Sequence, residues 1–314
     1  MVSNNQEETP KDFAQSSKIR LENLSFIRVS GKSSFLKGTV GSYQDIWRQR
    51  QLLGRLFQRD TKTRYKDSSL GILWSLFKPI LQLLIYYFII GKVLGTARSV
   101  PDFAIFVFIG ITIWTLHTEV LTRAVSSIIE NSGLIKKVYF PREIFPISAS
   151  LSAGLNFLIQ FAVLLLAIAL LSSSPPNWNQ VPIAISGILM IFTISAALGT
   201  ALSAVNVYLR DTQHFIEIYV VIMFWCSPIV YPFGFVHQFL NGSWLETIYL
   251  SNPITIGILA GQRGLWAAGT NDPSQYWPPD LEARLAFCWI FALIILWISQ
   301  RIFSKLQGNF AQEI

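Results

Sequence analysis

The chain has 314 residues, 52% of them hydrophobic and only 14% charged, with a mean hydropathy of +0.44. Soluble domains carry about 25% charged residues, so this balance excludes an ordinary soluble protein. Apolar runs approaching the ~20 residues that cross hydrocarbon predict an all-α polytopic membrane protein rather than a strand-alternating barrel. The formal charge of +7 sits mostly ahead of the first long apolar run, where anionic headgroups are a simpler partner than nucleic acid.

Residues 1–42 are polar and of mixed charge and read as a cytoplasmic tail. The first residues lack the apolar segment of a signal peptide. Gly31-Lys32-Ser33 looks like the end of a phosphate-binding loop, but Phe26 stands where its first glycine belongs, so nucleotide binding is discounted. Asp45 to Gln58 reads as an amphipathic helix. At helical spacing Ile46, Leu52, Leu53, Leu56 and Phe57 share one arc, Arg48, Arg55 and Arg59 lie opposite, and Arg50 is at the margin. That pattern suits a helix in the membrane interface. Residues 43–69 are therefore taken as interface helix and basic loop, with Arg59, Lys62, Arg64 and Lys66 just before the first span.

Six spans are predicted within residues 70–314, over about 72–90, 103–121, 144–171, 182–205, 215–231 and 285–303. Lys/Arg counts test the topology. Residues 1–69 hold thirteen, the next connections two, four, none, one and one, and the tail after the last span has Lys305. The alternation predicts both termini in the cytoplasm. The connection 233–283 holds only Arg263 together with Trp244, Trp266, Tyr276 and Trp277. It reads as an external loop with short helices dipping into the outer leaflet.

Signs of catalysis are few. His117, His214 and His237 lie on different segments without metal-ligand spacing, and no nucleophile elbow is present. His117 and Glu119 fall at the cytoplasmic end of the second predicted span and Glu217 at the start of the fifth, which predicts interfacial or packing roles. Cys226 and Cys288 lie in apolar runs and read as buried thiols rather than a disulfide. Aromatic residues abound: 23 Phe, 10 Tyr and 10 Trp. Most such rings pack or face lipid. Two clusters, Tyr86-Tyr87-Phe88 and Tyr219, Phe224, Trp225 and Tyr231, have the chemistry to stack on sugar faces if they line a wet passage. The run Leu134-Ile-Lys-Lys-Val-Tyr-Phe-Pro-Arg-Glu143 mixes lysines, aromatics and an arginine, a composition that suits docking to another protein.

Six pieces, in order, carry a resemblance: RDTKTRYKDSSLGILWSLFKP from Arg59, GITIW at Gly110, NSGLIKKVYFPREIFPIS at Asn131, SAVNVYLRDTQHF at Ser203, WCSPIVYP at Trp225 and SNPI at Ser251. The chain resembles the permease subunit of ABC-2 type polysaccharide exporters, which serve O-antigen, capsule and teichoic acid. The resemblance implies a six-span subunit forming a homodimer in the bacterial inner membrane, with two copies of a separate ATPase that holds ATP and Mg; no cofactor is expected on this chain. It implies that Leu70-Gly71 borders the channel mouth, where Arg59, Arg64 and Lys66 are candidates to meet a diphosphate. Leu134, Lys136, Lys137, Tyr139, Phe140, Pro141, Arg142 and Glu143 become candidates for coupling to the ATPase. Gate helices precede the last span, and the implied substrate is a polyprenyl-diphosphate-linked glycan. The alternatives are an ABC-2 exporter of a small lipid or drug, a membrane-embedded glycan-modifying enzyme, and an ion-coupled transporter.

Overall fold

A computed structural model describes residues 44, 46–65, 73–93, 100–137, 140–173, 175–240, 242–271 and 276–313. The predicted tail 1–42 lies outside them, as do Lys66, Leu70, Gly71 and Tyr139 and the side chain of Arg64. Helix α1 spans Arg50–Tyr65. Helix α2 spans Leu73–Ile85 and continues as a π-helix over Tyr86–Val93. Then come α3 (Phe103–Glu130), the single turn α4 (Ser132–Ile135), α5 (Ile144–Leu171) and α6 (Val181–Tyr208). Three shorter helices, α7 (Thr212–Trp225), α8 (Phe233–Leu240) and α9 (Trp244–Ser251), lead into α10 (Pro253–Leu265). A 3-10 turn at Ala267–Asn271 precedes α11 (Leu281–Leu306), which ends in a second such turn and in α12 (Phe310–Glu313).

Among the described residues, four helices are long and apolar enough to cross a membrane: α3, α5, α6, and α11 with its continuation to Asn309. A 28-residue helix extends about 42 Å, more than the ~30 Å of hydrocarbon. The first and fifth predicted spans take shorter forms. Helix α2 with its π-helical extension covers residues 73–93, close to the expected 72–90. Helix α7 stops after 14 residues, where Cys226 begins a run of turns around Pro228 and Pro232; proline lacks the N–H that would continue the helix.

Helix α3 is the central post: 83% of its most apolar stretch is buried, against 22% for α11. It packs on α5, α6 and α10, while α6 also packs on α10 and α11. The expected end of α3 at residue 121 falls short, because the helix continues to Glu130. The added turns carry Arg123, Ser126, Ser127 and Glu130, yet Ala124, Val125 and Ile128 on their inner side are buried.

The expected external loop is largely helical, and α10 is part of the core. Ile256, Ile258, Leu259 and Ala260 are buried between α3, α6 and α11. Three glycines permit the approach. A Cβ on Gly257 would lie 2.3 Å from Ile191 Cδ1, one on Gly261 2.1 Å from Ile113 Cδ1, and one on Gly264 2.6 Å from both Ala184 Cβ and the Gln180 carbonyl. Small residues at helical spacing are how membrane helices come close. The start of α10 is locally encoded: Asn252 Oδ1 accepts the Ile254 N–H at 3.0 Å and Pro253 follows the cap. Cys288 is buried as expected, whereas Cys226 is exposed because α7 ends there; both are free thiols.

Candidate functional site

The segment between α3 and α5 is gripped at both ends. Asn131 closes α3 by donating to the Ser127 carbonyl at 2.8 Å. Its side-chain oxygen accepts from Arg59 Nη2 at 2.7 Å, and the same guanidinium makes two bonds to Asp60 Oδ1, at 2.7 and 3.0 Å. Asp60 in turn accepts from the Ser148 hydroxyl of α5 at 3.2 Å. At the other end, the Arg142 guanidinium donates to the Gln307 carbonyl and lies 5.6 Å over the Phe310 ring. Glu143, only 3% exposed, accepts from Gln300 Nε2 at 3.3 Å and Ser304 Oγ at 3.1 Å. Hydrogen bonds of this kind keep a buried carboxylate affordable.

Beneath these grips lies a second apolar core. Ile46 and Leu56 of the α1 region, Ile128 of α3, Ile135, Phe140, Phe145 of α5, Val207 of α6, Phe303 and Phe310 are all buried in it. Much of the apolar arc expected to face lipid therefore covers protein. Arg48 and Arg55 are exposed, as the helical spacing predicts, and so is Arg50 at the margin.

The coupling candidates now separate. Phe140 and Glu143 are interior, Leu134 and Pro141 are half-buried, and Arg142 is tied to the end of α11. Lys136 and Lys137 are exposed, two cations on a braced turn. Among the candidates for the channel mouth, Arg59 and Arg64 lie on α1 rather than in a loop, because that helix runs seven residues past the expected Gln58. Arg59 is engaged by Asp60 and Asn131.

The two aromatic clusters are on different elements, and among the described residues no ring contact joins them. Tyr86 and Tyr87 are half-buried and Phe88 is exposed, all three in the π-helix. Tyr219 and Phe224 turn inward: the Tyr219 hydroxyl reaches His117 Nε2 at 3.3 Å, and Phe224 meets Trp114 edge-on at 5.8 Å. Trp225 is 63% exposed, and its carbonyl accepts from the Tyr231 hydroxyl at 2.6 Å.

His117 is not at a helix end. The extended α3 puts it at mid-length, fully buried, with Nδ1 2.7 Å from Ser195 Oγ. Ser195 donates its own proton to the Ile191 carbonyl at 2.6 Å. It must therefore accept from Nδ1–H, and the network assigns Nε2 as the acceptor for Tyr219. Glu119 likewise has partners inside the bundle: Asn156 Nδ2 lies 2.8 Å from both carboxylate oxygens, and Arg123 Nε is 3.8 Å away. Ser195 and Asn156 escaped the sequence reading. The available signal was a polar side chain at mid-depth in an otherwise apolar run, which needs a partner there.

At the far end of α3, two of the quoted motifs, those at Gly110 and Trp225, meet each other and α10. A Cβ on Gly110 would come within 3.1 Å of the Ile229 backbone. Gln262 Nε2 donates to the Pro228 carbonyl at 2.9 Å, and the Thr255 hydroxyl to that of Cys226 at 3.4 Å. Nearby, Glu246 joins α8 to α9, with His237 Nδ1 at 2.8 Å and the Gly242 N–H at 2.9 Å.

Residues 51–264 match the profile of the ABC-2 type transporter family. The O-antigen export system permease protein RfbA of Klebsiella pneumoniae is 30% identical over 264 residues, covering 83% of this chain and 94% of that protein. RfbA of Myxococcus xanthus is 26% identical over 271 residues, 86% and 98% of the two chains. The polysialic acid transport protein KpsM of Escherichia coli is 26% identical over 212 residues, 66% and 78% of the two. The profile runs from the first turn of α1 to the last of α10, taking in the Arg59–Asn131 contact, the Ser132–Ile135 turn and the motifs around Ile229, and on that match the chain belongs to the ABC-2 type transporter family.

Proposed function

We propose that this chain is the permease subunit of an ATP-driven exporter that moves a polyprenyl-diphosphate-linked polysaccharide across the bacterial inner membrane. The observation that carries the reading is the near full-length similarity to O-antigen export permeases, 94% of the Klebsiella relative being spanned. In this reading two copies form the conduit and two copies of a separate ATPase supply ATP and Mg. Six crossings arise when α2 with its π-helix, and α7 with the following turn, join the four long helices. Both termini then face the cytoplasm.

The coupling role falls to Lys136 and Lys137, with Tyr139 beside them in sequence. Their exposure on a braced turn supports this, because force applied there passes into α3 and α5 without first bending the segment. Arg64, Lys66, Leu70 and Gly71 keep the role of channel mouth, where an arginine fork suits a diphosphate. Arg59 is reassigned to holding Asn131. Phe88 and Trp225 are the exposed rings best placed to line a passage.

The test is reconstitution of the chain with the ATPase of its own organism. ATP-dependent movement of lipid-linked glycan is expected, together with loss of ATPase co-purification in the double variant Lys136→Glu, Lys137→Glu. Movement that persists with an inactive ATPase refutes the reading and favours an ion-coupled transporter.

A further inference from the structure

Helix α1 does not lie flush on the bundle. Between it and α3, α5 and α6 runs an apolar groove of about 630 Å³, within the ~300–1,000 Å³ typical of ligand sites. Leu53, Gly54 and Phe57 form its α1 wall, Leu158 and Phe161 its α5 wall, and Phe192 its α6 wall. The floor is Leu116 of α3, which is 2% exposed. Among the described residues, none of those proposed for the channel mouth, the passage or coupling lines it.

Two features indicate an occupant. The first is Gly54. A Cβ there would meet nothing within 4 Å, so close packing does not require glycine. Inside a helix glycine costs about 1 kcal/mol relative to alanine, and what its missing side chain leaves is open space along the groove. Gly154 acts differently: a Cβ on it would sit 3.2 Å from the Phe192 ring, so its absence lets that ring lie against α5. The second feature is Arg50, which lines the groove with an exposed side chain. Beside it is Trp47, 72% exposed, a residue type that settles at headgroup level. Arg50 makes one bond at the limit of hydrogen-bond distance, 3.5 Å to the Trp47 carbonyl. An apolar slot ending at a basic residue on an interface helix has the charge complement of an anionic lipid.

We infer that this groove holds one molecule of anionic glycerophospholipid, an acyl chain lying between α1, α5 and α6 and the phosphate meeting Arg50. The lipid is a structural ligand that fills the space under α1 and is separate from any transported molecule. It fixes how α1 rests on the bundle.

The experiment uses the full chain purified in mild detergent and exchanged into nanodiscs, with phosphatidylglycerol and phosphatidylcholine as the competing probes. Native mass spectrometry reads the bound lipid. Phosphatidylglycerol is expected to be retained in preference. Arg50→Gln should lower its apparent affinity about fivefold, the effect of one basic residue near a lipid surface. Arg55→Gln, on an exposed arginine outside the groove, should leave it unchanged. Gly54→Leu should displace the lipid while the protein stays monodisperse, since the side chain enters open space. Equal retention of the two phospholipids overturns the inference. So does full lipid retention in Gly54→Leu, or recovery of a polyprenyl diphosphate from the groove.

Discussion

Replacing glycines one at a time tests whether α10 is a core helix held by close approach. In Gly264→Ala the new methyl lies 2.6 Å from Ala184 Cβ, 2.6 Å from the Gln180 carbonyl oxygen and 3.1 Å from the Ala184 nitrogen. Carbon contacts are optimal at about 3.5–4.0 Å, so α10 must withdraw from α6 by roughly 1 Å, and two of the three obstacles are backbone that cannot rotate away. Overpacking of this kind costs about 1–3 kcal/mol, while the gain in helix propensity returns up to about 1 kcal/mol. A net loss of about 1–2 kcal/mol is expected. Gly257→Ala meets Ile191 Cδ1 at 2.3 Å and Cγ1 at 2.5 Å, side-chain atoms that can shift where backbone cannot, and should lose less. Gly54→Ala meets nothing and should gain about 0.5–1 kcal/mol. Thermal unfolding of the purified chain, at about 2–4 °C per kcal/mol, gives the order Gly54→Ala above wild type, then Gly257→Ala, then Gly264→Ala. Gly264→Ala melting at or above Gly54→Ala would refute the burial of α10 against α6.

Three other substitutions probe the remaining contacts. His117→Phe strands the Tyr219 hydroxyl, and Tyr219→Phe should recover part of that loss; the double-mutant cycle is expected to give a coupling of about 0.6 kcal/mol, at most ~1.7, as for hydrogen bonds between membrane helices. Phe310→Ala removes a fully buried ring from the core under the segment between α3 and α5 and should cost about 3–5 kcal/mol, with protease cleavage appearing near Gln307 before the bundle melts. Asn252→Ala removes the cap of α10 and should lower stability by about 1 kcal/mol, read as a smaller shift in melting than Phe310→Ala.

Much of the architecture was legible from hydropathy. The third predicted span, 144–171, coincides with α5, because Pro141-Arg142-Glu143 and Ser172-Ser173-Ser174 bound an unbroken apolar run. Hydropathy failed where a helix outlives its apolar stretch. The last turns of α3 are polar on one side and are held helical by Ile128 and its neighbours in the second core. It failed again at α10, whose 13 residues are too few to cross a membrane; the spacing of Gly257, Gly261 and Gly264 was the overlooked signal. The candidate coupling site was legible as a stretch but not residue by residue. Glu143 and Lys137 are both charged, and the glutamate is interior with Gln300 and Ser304, more than 150 positions away, among its partners. Arg59 looked like an anion ligand because its neighbours are basic. Asp60 and Asn131 give it different work.

The π-helix at Tyr86–Val93 has a consequence for chain length. A π-turn carries one residue more than the α-turn it replaces, so this stretch stores slack that an ordinary helix lacks. Deleting one residue there gives the backbone an α-helical path between the same two flanks, and the side chains on one side of the cut then rotate relative to those on the other. Shortening the stretch thereby re-aims Tyr86, Tyr87 and Phe88 with little change in where α2 begins. A helical wheel drawn through 73–93 as one regular helix drifts from the true ring directions from Tyr86 onward.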